Sequence, residues 1–155
     1  MYSRDDHPAA HSTSASSASA TAAPTAEAHN NADVWFVRHM IPHHEQAIQM
    51  FDIVLAKQGI DPRVRGLATQ IKAEQGPEIQ QLQEWLNQWG NPPMPSMPSG
   101  ASDMPGMVSD EEVTVLKNAE GVDASRFLLT QMTAHHEGAI ATAQTEVEDG
   151  ADRRR

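Results

Sequence analysis

The sequence predicts an all-α fold, and three observations point to it. Only one Tyr and three Phe occur among 155 residues, and runs of Val, Ile and Thr, which strands favour, are almost absent. Ala, Gln and Glu, which favour helices, are abundant. Apolar residues recur at the three- and four-residue spacing of helices in separate segments, each preceded by a helix-start signal. We therefore expect a small helical bundle.

A tail precedes the first predicted helix. Residues 1–30 are rich in Ala, Ser and Thr and hold few large apolar groups, so ordering them would cost more entropy than burial could return. Its histidines, His7, His11 and His29, are expected to be solvated. The bundle is expected over residues 31–150, with a linker at residues 91–108.

The first helix should begin near Asn31 to Asp33 and run to about Gln58, before Gly59. Its apolar stripe contains Met40, and Pro42 lies inside it. Because proline removes one backbone hydrogen bond, a kink is expected one turn before the histidines that follow.

The second helix has a strong start signal, with Asp61 as N-cap and Pro62 at the first helical position. It should run to Trp89 and end at Gly90. The Gly76-Pro77 pair inside it predicts a bend or a break into two pieces.

The linker that follows carries an unusual set of methionines. They form two Met-x-x-Met pairs, Met94 with Met97 and Met104 with Met107. Unbranched methionines could simply pack a loop onto the bundle, or they could form a flexible thioether loop that binds Cu(I). The sequence leaves both interpretations open.

Two more helices complete the predicted bundle. Ser109 and Glu112 form a capping box that opens a short helix ending at Gly121. Asp123 is expected to cap the last helix, which continues to Gly150.

The first and last helices carry the same motif. Residues 35–48 align with residues 127–140 without a gap, matching Met, His, His, Glu, Ala and Ile. On a helix, Met40 with His44 and Met132 with His136 lie one turn apart on the same face. A thioether beside an imidazole is a soft donor pair that suits copper, above all Cu(I). His39 and His43 add a second pair at the same spacing in the first copy.

One buried histidine is more often a satisfied core residue than a ligand. The duplication favours the ligand interpretation, because two helices that each present His-His and Met at the same level can converge across a bundle core. With no cysteine in the chain, any metal must be held by His, Met and carboxylates.

Several other functions are disfavoured. The net charge of -10 would repel nucleic acid. No apolar stretch is long enough to span a bilayer, and the N-terminus has no signal-peptide pattern. Ile48 and Ile140 stand where a His-Glu-x-x-His zinc motif needs its second histidine, so we predict no catalytic residues.

Ordered motifs on three segments resemble the family called domain of unknown function 305. They are Met40-Ile41-Pro42-His43-His44 with Ala47-Ile48 and Met50, then Gln75, Glu78-Ile79 and Trp85-Leu86, then Met132, His135-His136 and Ala139-Ile140. The resemblance covers about Asp33 to Val147. It implies a ferritin-like helical bundle, a bacterial and exported protein, and in some members periplasmic copper binding through Met and His.

The resemblance also implies a set of metal-site residues. These are His43, His44, His135 and His136, with Met40, Met50 and Met132 as soft partners and Glu78 at the acidic position of the second helix. Thr142 stands where the second copy would repeat Met50. A fourth full-length helix is missing, so the four-helix bundle is expected to be incomplete, with one apolar flank uncovered. A homodimer would cover this flank; alternatively, the short helix from Asp110 to Glu120 would fill the gap.

The sequence thus predicts a copper-binding protein, with Cu(I) favoured, that buffers or delivers the ion outside the cytoplasm and is not an enzyme. The alternative is a helical interaction module in which the histidines and Glu78 form a hydrogen-bond network without a metal. A metal-dependent oxidoreductase or hydrolase is a third, weaker interpretation.

Overall fold

The computed structural model describes residues 28–91 and 104–151, and these form four helices. They are α1 (Asn31–Leu55), α2 (Pro62–Gln88), α3 (Asp110–Asn118) and α4 (Gly121–Asp149). The all-α prediction is confirmed. The predicted tail up to residue 27, and Met94 and Met97 in the linker, lie outside the described residues.

Helix α1 begins with a capping box that also joins it to the end of α4. Asn30 accepts a hydrogen bond from the Asp33 amide at 3.0 Å, and the Asp33 carboxylate accepts one from the Asn30 amide at 2.5 Å. Asn30 also donates to the Asp149 carbonyl at 2.8 Å, and the Ala151 amide donates to Asp33 at 3.2 Å. The first turn of α1 therefore lies beside the last turn of α4, which makes the two helices antiparallel.

Helix α2 starts as predicted, because Asp61 accepts a hydrogen bond from the Arg63 amide at 2.8 Å and Pro62 is the first helical residue. It then runs past Pro77 without interruption, so a break at Gly76-Pro77 is wrong. Pro77 and Ala73, whose carbonyl loses its partner, are both exposed, and water can replace the missing bond.

Helices α3 and α4 are joined by a tight turn. The Ser109–Glu112 capping box is present at the start of α3, as predicted. Helix α4 begins at Gly121, and Glu120 rather than Asp123 is its N-cap, without a side-chain hydrogen bond. Gly121 has a φ of +53° and faces Gly59, where an added β-carbon would lie 3.5 Å from the Cα of Gly121. The turn before α4 thus lies against the turn before α2, and the positive φ of Gly121 favours glycine at the start of α4.

Helix α1 is the centre of the fold, because α2, α3 and α4 all pack against it while α2 and α4 contact each other little. The buried apolar residues form two clusters along α1. The upper cluster includes Val37, Met40, Ile41, Leu82, Leu86 and Met104. The lower cluster includes Ala47, Met50, Phe51, Val54, Leu116, Leu128 and Met132. The histidines of α1 fall between the two clusters.

An open groove separates the first turns of α2 from those of α4. It has a volume of about 500 Å³, and its lining includes Val64, Leu67, Val122 and Leu129. Leu67 and Val122 are 46% and 66% exposed. The groove therefore exposes an apolar surface between α2 and α4. Within the described residues, no helix combines the length and apolar character that crossing a membrane requires.

Candidate metal site

The first histidines of the two copies meet at the centre of the contact between α1 and α4. The imidazole rings of His43 and His135 stack with their centroids 3.5 Å apart and their planes 28° apart. His135 is fully buried and His43 is 3% exposed. Because the two residues hold the same position in the repeat and their helices are antiparallel, a local two-fold axis relates the two rings.

Three nitrogen atoms of this stacked pair are buried and have no hydrogen-bond partner among the residues that the structure describes. They are Nε2 of His43 and both Nδ1 and Nε2 of His135. A neutral imidazole has one donor and one acceptor, and leaving either unmet in the interior costs about 1–3 kcal/mol. Apolar side chains could fill these two positions without that cost, so packing alone does not account for histidine at either of them.

Burial keeps both rings neutral. It lowers the pKa of His43 to about 4, with a further decrease from the neighbouring His44. Burial also lowers the pKa of His135 to about 3, and His43 adds to this decrease. Each ring consequently keeps one nitrogen lone pair at neutral pH, and a metal ion needs such a lone pair.

The second histidine of each pair turns back onto its own helix. Nδ1 of His44 donates to the carbonyl of Met40 at 2.9 Å, and Nδ1 of His136 donates to the carbonyl of Met132 at 2.8 Å. Nε2 of His44 lies 2.7 Å from the carboxylate of Glu78 on α2. Both nitrogens of His44 are thus engaged, whereas His136 keeps the lone pair of Nε2.

The antiparallel helices place the two repeated methionines on opposite sides of the stacked pair. Met40 belongs to the upper cluster, against which Ala139 packs. Met132 belongs to the lower cluster together with Ala47. The sequence had led us to expect both methionines at one level. That expectation is wrong, because antiparallel copies repeat the motif in opposite directions.

The remaining predicted thioethers are divided between the clusters. Met104 is buried in the upper cluster and Met107 packs against it, so two thioethers of the linker share this cluster with Met40 of α1. Met50 is fully buried in the lower cluster beside Met132. Thr142, its counterpart in the second copy, donates its hydroxyl to the Gly138 carbonyl at 3.0 Å.

Two predicted residues lie away from the stacked pair. His39 stacks on the exposed Trp35 with centroids 4.1 Å apart and donates to its carbonyl, so it does not join His43. The side chain of Glu78 is 59% exposed and reaches His44 only. Among residues 28–91 and 104–151, no three His or carboxylate groups are arranged to hold a metal ion. A metal site here would need thioether donors.

Two residues that the sequence analysis did not single out hold the linker against the histidines. Gln46 bonds both backbone groups of Val108, and Gly138 lies against the backbone of Pro105 and Gly106. Gln46 and Gly138 occupy the same position in the two copies, directly after the shared His-His-Glu. Within the run His-His-Glu-x-Ala-Ile this is the one position at which the two copies differ, and that difference is the signal that could have identified them.

Comparison with known proteins places the chain in a family. The model of the family described as a domain of unknown function, DUF305, matches residues 33–154. The chain belongs to the DUF305 family. The family resemblance that the sequence motifs indicated is therefore confirmed, over nearly the range they covered.

Solved DUF305 proteins share the fold of this chain. One from Streptomyces coelicolor, described as a secreted protein, is 36% identical, with 76% of this chain and 72% of that chain covered and a TM-score of 0.67. A DUF305 fragment from Deinococcus radiodurans is 32% identical, with 77% and 78% covered and a TM-score of 0.70.

Copper-bound structures also resemble this DUF305 chain. CopM in the Cu(I)-bound form is 28% identical, with 74% of this chain and 72% of that chain covered and a TM-score of 0.59. CopM in the Cu(II)-bound form is also 28% identical, with 76% of each chain covered and a TM-score of 0.62. No curated protein matches the chain.

Proposed function

We propose that this protein binds Cu(I) between α1 and α4 and buffers or delivers the ion outside the cytoplasm. One observation carries the proposal: three imidazole nitrogens of His43 and His135 are buried with no hydrogen-bond partner in the described part of the chain. An ion bound at this pair would compensate for that cost. Met40, Met104 and Met107, which share the upper cluster, are the thioethers proposed to complete the site.

The donors favour a soft ion of low charge. Imidazole and thioether are neutral, and among the described residues no Asp or Glu is buried. A divalent ion would bring two charges into an interior without a carboxylate, whereas Cu(I) brings one and prefers sulfur. This reasoning favours Cu(I) over zinc or calcium.

Binding is expected to change the stacked arrangement. The lone pairs of imidazole lie in the plane of the ring, so two rings stacked 3.5 Å apart direct their nitrogens side by side rather than toward one point. An ion held by both His43 and His135 would therefore turn at least one ring out of the stack. The structure thus contains the donors but not the ring orientation that binding a shared ion would require.

Solved relatives support both the binding of copper and the location of the protein outside the cytoplasm. CopM is similar over about three quarters of the chain and has been solved with Cu(I) and with Cu(II) bound. A relative described as secreted is 36% identical, which supports a location outside the cytoplasm.

The proposal is tested by competition between the protein and a Cu(I) chelator under anaerobic conditions. We expect wild type to take Cu(I) from the chelator and Met40→Leu to bind at least about tenfold more weakly, equivalent to about 1.4 kcal/mol. The matched control is Met50→Leu, which makes the same change in the opposite cluster and should bind as wild type does. Both changes conserve volume and should leave the fold intact.

Two results would contradict the proposal. A wild-type protein that takes no Cu(I) even from a weak chelator would exclude the site. Equal affinities for wild type and Met40→Leu, with a loss in Met50→Leu, would move the site to the lower cluster beside Met132. The loop pair Met94 and Met97 is tested separately, by replacing both with Leu.

The alternative without a metal is a network of histidines and Glu78, and among the described residues His44 is the histidine that Glu78 contacts. There Glu78 and the Met40 carbonyl engage both ring nitrogens. Nε2 of His43 and both ring nitrogens of His135 have no such partners within the described residues, so the network does not explain them.

Self-association is proposed as a separate property. The groove between α2 and α4 exposes Leu67, Val122 and Leu129, which a second copy could cover. Light scattering at high concentration tests this proposal, and a monodisperse monomer would refute it.

A further inference from the structure

The segment from Met104 to Val108, here called the strap, lies across the turn of α4 that carries His135. Gly106 has a φ of +84°, and a β-carbon there would lie 2.5 Å from the Ala134 carbonyl oxygen and 3.1 Å from the Cα of His135. The strap thus approaches α4 backbone to backbone, at a distance that only glycine permits.

Helix α4 leaves space for the backbone of the strap at Gly138, which has no side chain. A β-carbon at that position would overlap the carbonyl group of Pro105 and stand 2.8 Å from the amide nitrogen of Gly106. No rearrangement of a flexible side chain could relieve this overlap, because the obstructing atoms belong to the backbone. Gly138 therefore forms a seat for the strap.

Helix α1 holds the other end of the strap. Gln46 donates its amide to the Val108 carbonyl at 2.7 Å and accepts from the Val108 amide at 2.9 Å. A single side chain thereby satisfies both backbone groups of a buried residue 62 positions away in sequence. Side-chain amides that pair with a backbone in this way fix both position and orientation.

The seated strap brings thioethers to the site. Met104 is 3% exposed in the upper cluster with Met40, and Met107 packs against that cluster. The strap also covers His135, which has no exposed surface. An ion can reach the stacked histidines from this side only if the strap moves.

We infer that Gln46 and Gly138 are positioning residues for copper: they seat the strap so that its methionines complete a Cu(I) site and its backbone closes that site. This inference rests on the proposed function. The strap then provides the selectivity for Cu(I). When the strap is detached, the sulfur donors of the linker are withdrawn and the histidines stay in place. A detached strap should weaken binding of Cu(I) and leave that of Zn²⁺ unchanged.

The first experiment measures, without any metal, how firmly the strap is held against the bundle. Hydrogen peroxide transfers an oxygen atom to an accessible thioether and leaves water, and peptide mass spectrometry reports the rate at Met104. In the full-length apo protein we expect Gln46→Ala to raise this rate by about five- to thirtyfold, since two hydrogen bonds are lost. We expect at least as large a rise in Gly138→Ala. The control is Gly66→Ala in α2, where an added β-carbon meets nothing within 4 Å.

The second experiment measures the affinity of the same variants for Cu(I) and for Zn²⁺ by chelator competition. Gln46→Ala and Gly138→Ala should lose Cu(I) affinity by a factor similar to the rise in Met104 oxidation, with Zn²⁺ binding unchanged. If Gly138→Ala does not fold, as judged by its circular dichroism, Gln46→Ala alone decides the question.

Three outcomes would overturn the inference in distinguishable ways. Unchanged Met104 oxidation in both variants would show that the strap is not seated by these residues. Faster oxidation with unchanged Cu(I) affinity would show that the strap is no part of the site, and the proposed function would survive with Met40 as its thioether donor and without Met104 and Met107. A wild type that binds no Cu(I) would remove the proposed function itself, whatever the oxidation rates show about the seat.

Discussion

Replacing His135 by leucine should stabilise the metal-free protein. His135 is fully buried and both its ring nitrogens lack partners. Leucine has a similar volume and no polar atom, so it removes two unmet groups from the interior. For a core histidine that served stability, the same substitution would break hydrogen bonds and destabilise the fold.

The size of the effect follows from the two nitrogens. At about 1–3 kcal/mol each, their removal is worth roughly 2–6 kcal/mol. Imperfect packing of leucine and loss of the stack on His43 should offset about 1–3 kcal/mol of this gain. We therefore expect a net increase of about 1–3 kcal/mol in the free energy of unfolding.

Urea denaturation in the presence of a strong copper chelator measures this change, and a second series with Cu(I) completes the test. Wild type should gain about 2.7 kcal/mol when free Cu(I) is a hundredfold above the dissociation constant, whereas His135→Leu should gain almost nothing. The matched control is His136→Leu, which removes the adjacent, partnered histidine and should not stabilise the apo protein. An apo His135→Leu that is less stable than wild type by 2 kcal/mol or more would refute the reasoning.

Three further predictions follow from the same geometry. His44→Ala should weaken Cu(I) binding about tenfold and His43→Ala far more, because His44 only supports the site through Glu78; equal losses in chelator competition would make His44 a ligand. Burial and the neighbouring carboxyl of Asp33 raise the pKa of Glu146 to about 8 from 4.5, so the folded chain holds this proton more tightly than the unfolded chain. The free energy of unfolding should therefore fall by about 1–2 kcal/mol as the pH rises from 4.5 to 8, a modest decrease because part of the side chain is solvated. Urea denaturation of Glu146→Gln, which has no carboxyl group at this position, should lack this decrease. Ser109→Ala removes the cap of α3 and should cost about 1 kcal/mol in urea denaturation, and a loss near zero would show that the capping box is not needed.

The sequence was sufficient for the helices because their signals are local. Asp61 with Pro62, and Ser109 with Glu112, predicted the starts of α2 and α3 from capping chemistry alone. The errors arose where tertiary context overrides a local preference. The break expected at Pro77 is absent because the lost bond faces water, and α4 begins at Gly121 rather than near Asp123, at a residue whose φ of +53° favours glycine.

The candidate site was predictable only in part. The repeat indicated that His43 and His135 are equivalent, and the fold brings them into contact. The direction of α4 relative to α1 is a property of the whole bundle, so the sequence could not show that Met40 and Met132 flank the pair from opposite sides. The role of Gln46 is likewise set by a partner 62 residues away.

The duplication and the strap together explain why one site is expected where symmetry would give two. A perfect two-fold arrangement would place one methionine and one imidazole on each side of the stack, giving two equal half-sites. The strap breaks this equality, because it brings Met104 and Met107 to the side of Met40 and not to the side of Met132. The two copies differ accordingly at the position that meets the strap, where α1 has a long amide, Gln46, and α4 has Gly138, which leaves space. A Cu(I) titration should therefore saturate at one ion per chain in the bundle, and two equivalent ions would mean that the symmetry of the repeat outweighs the strap.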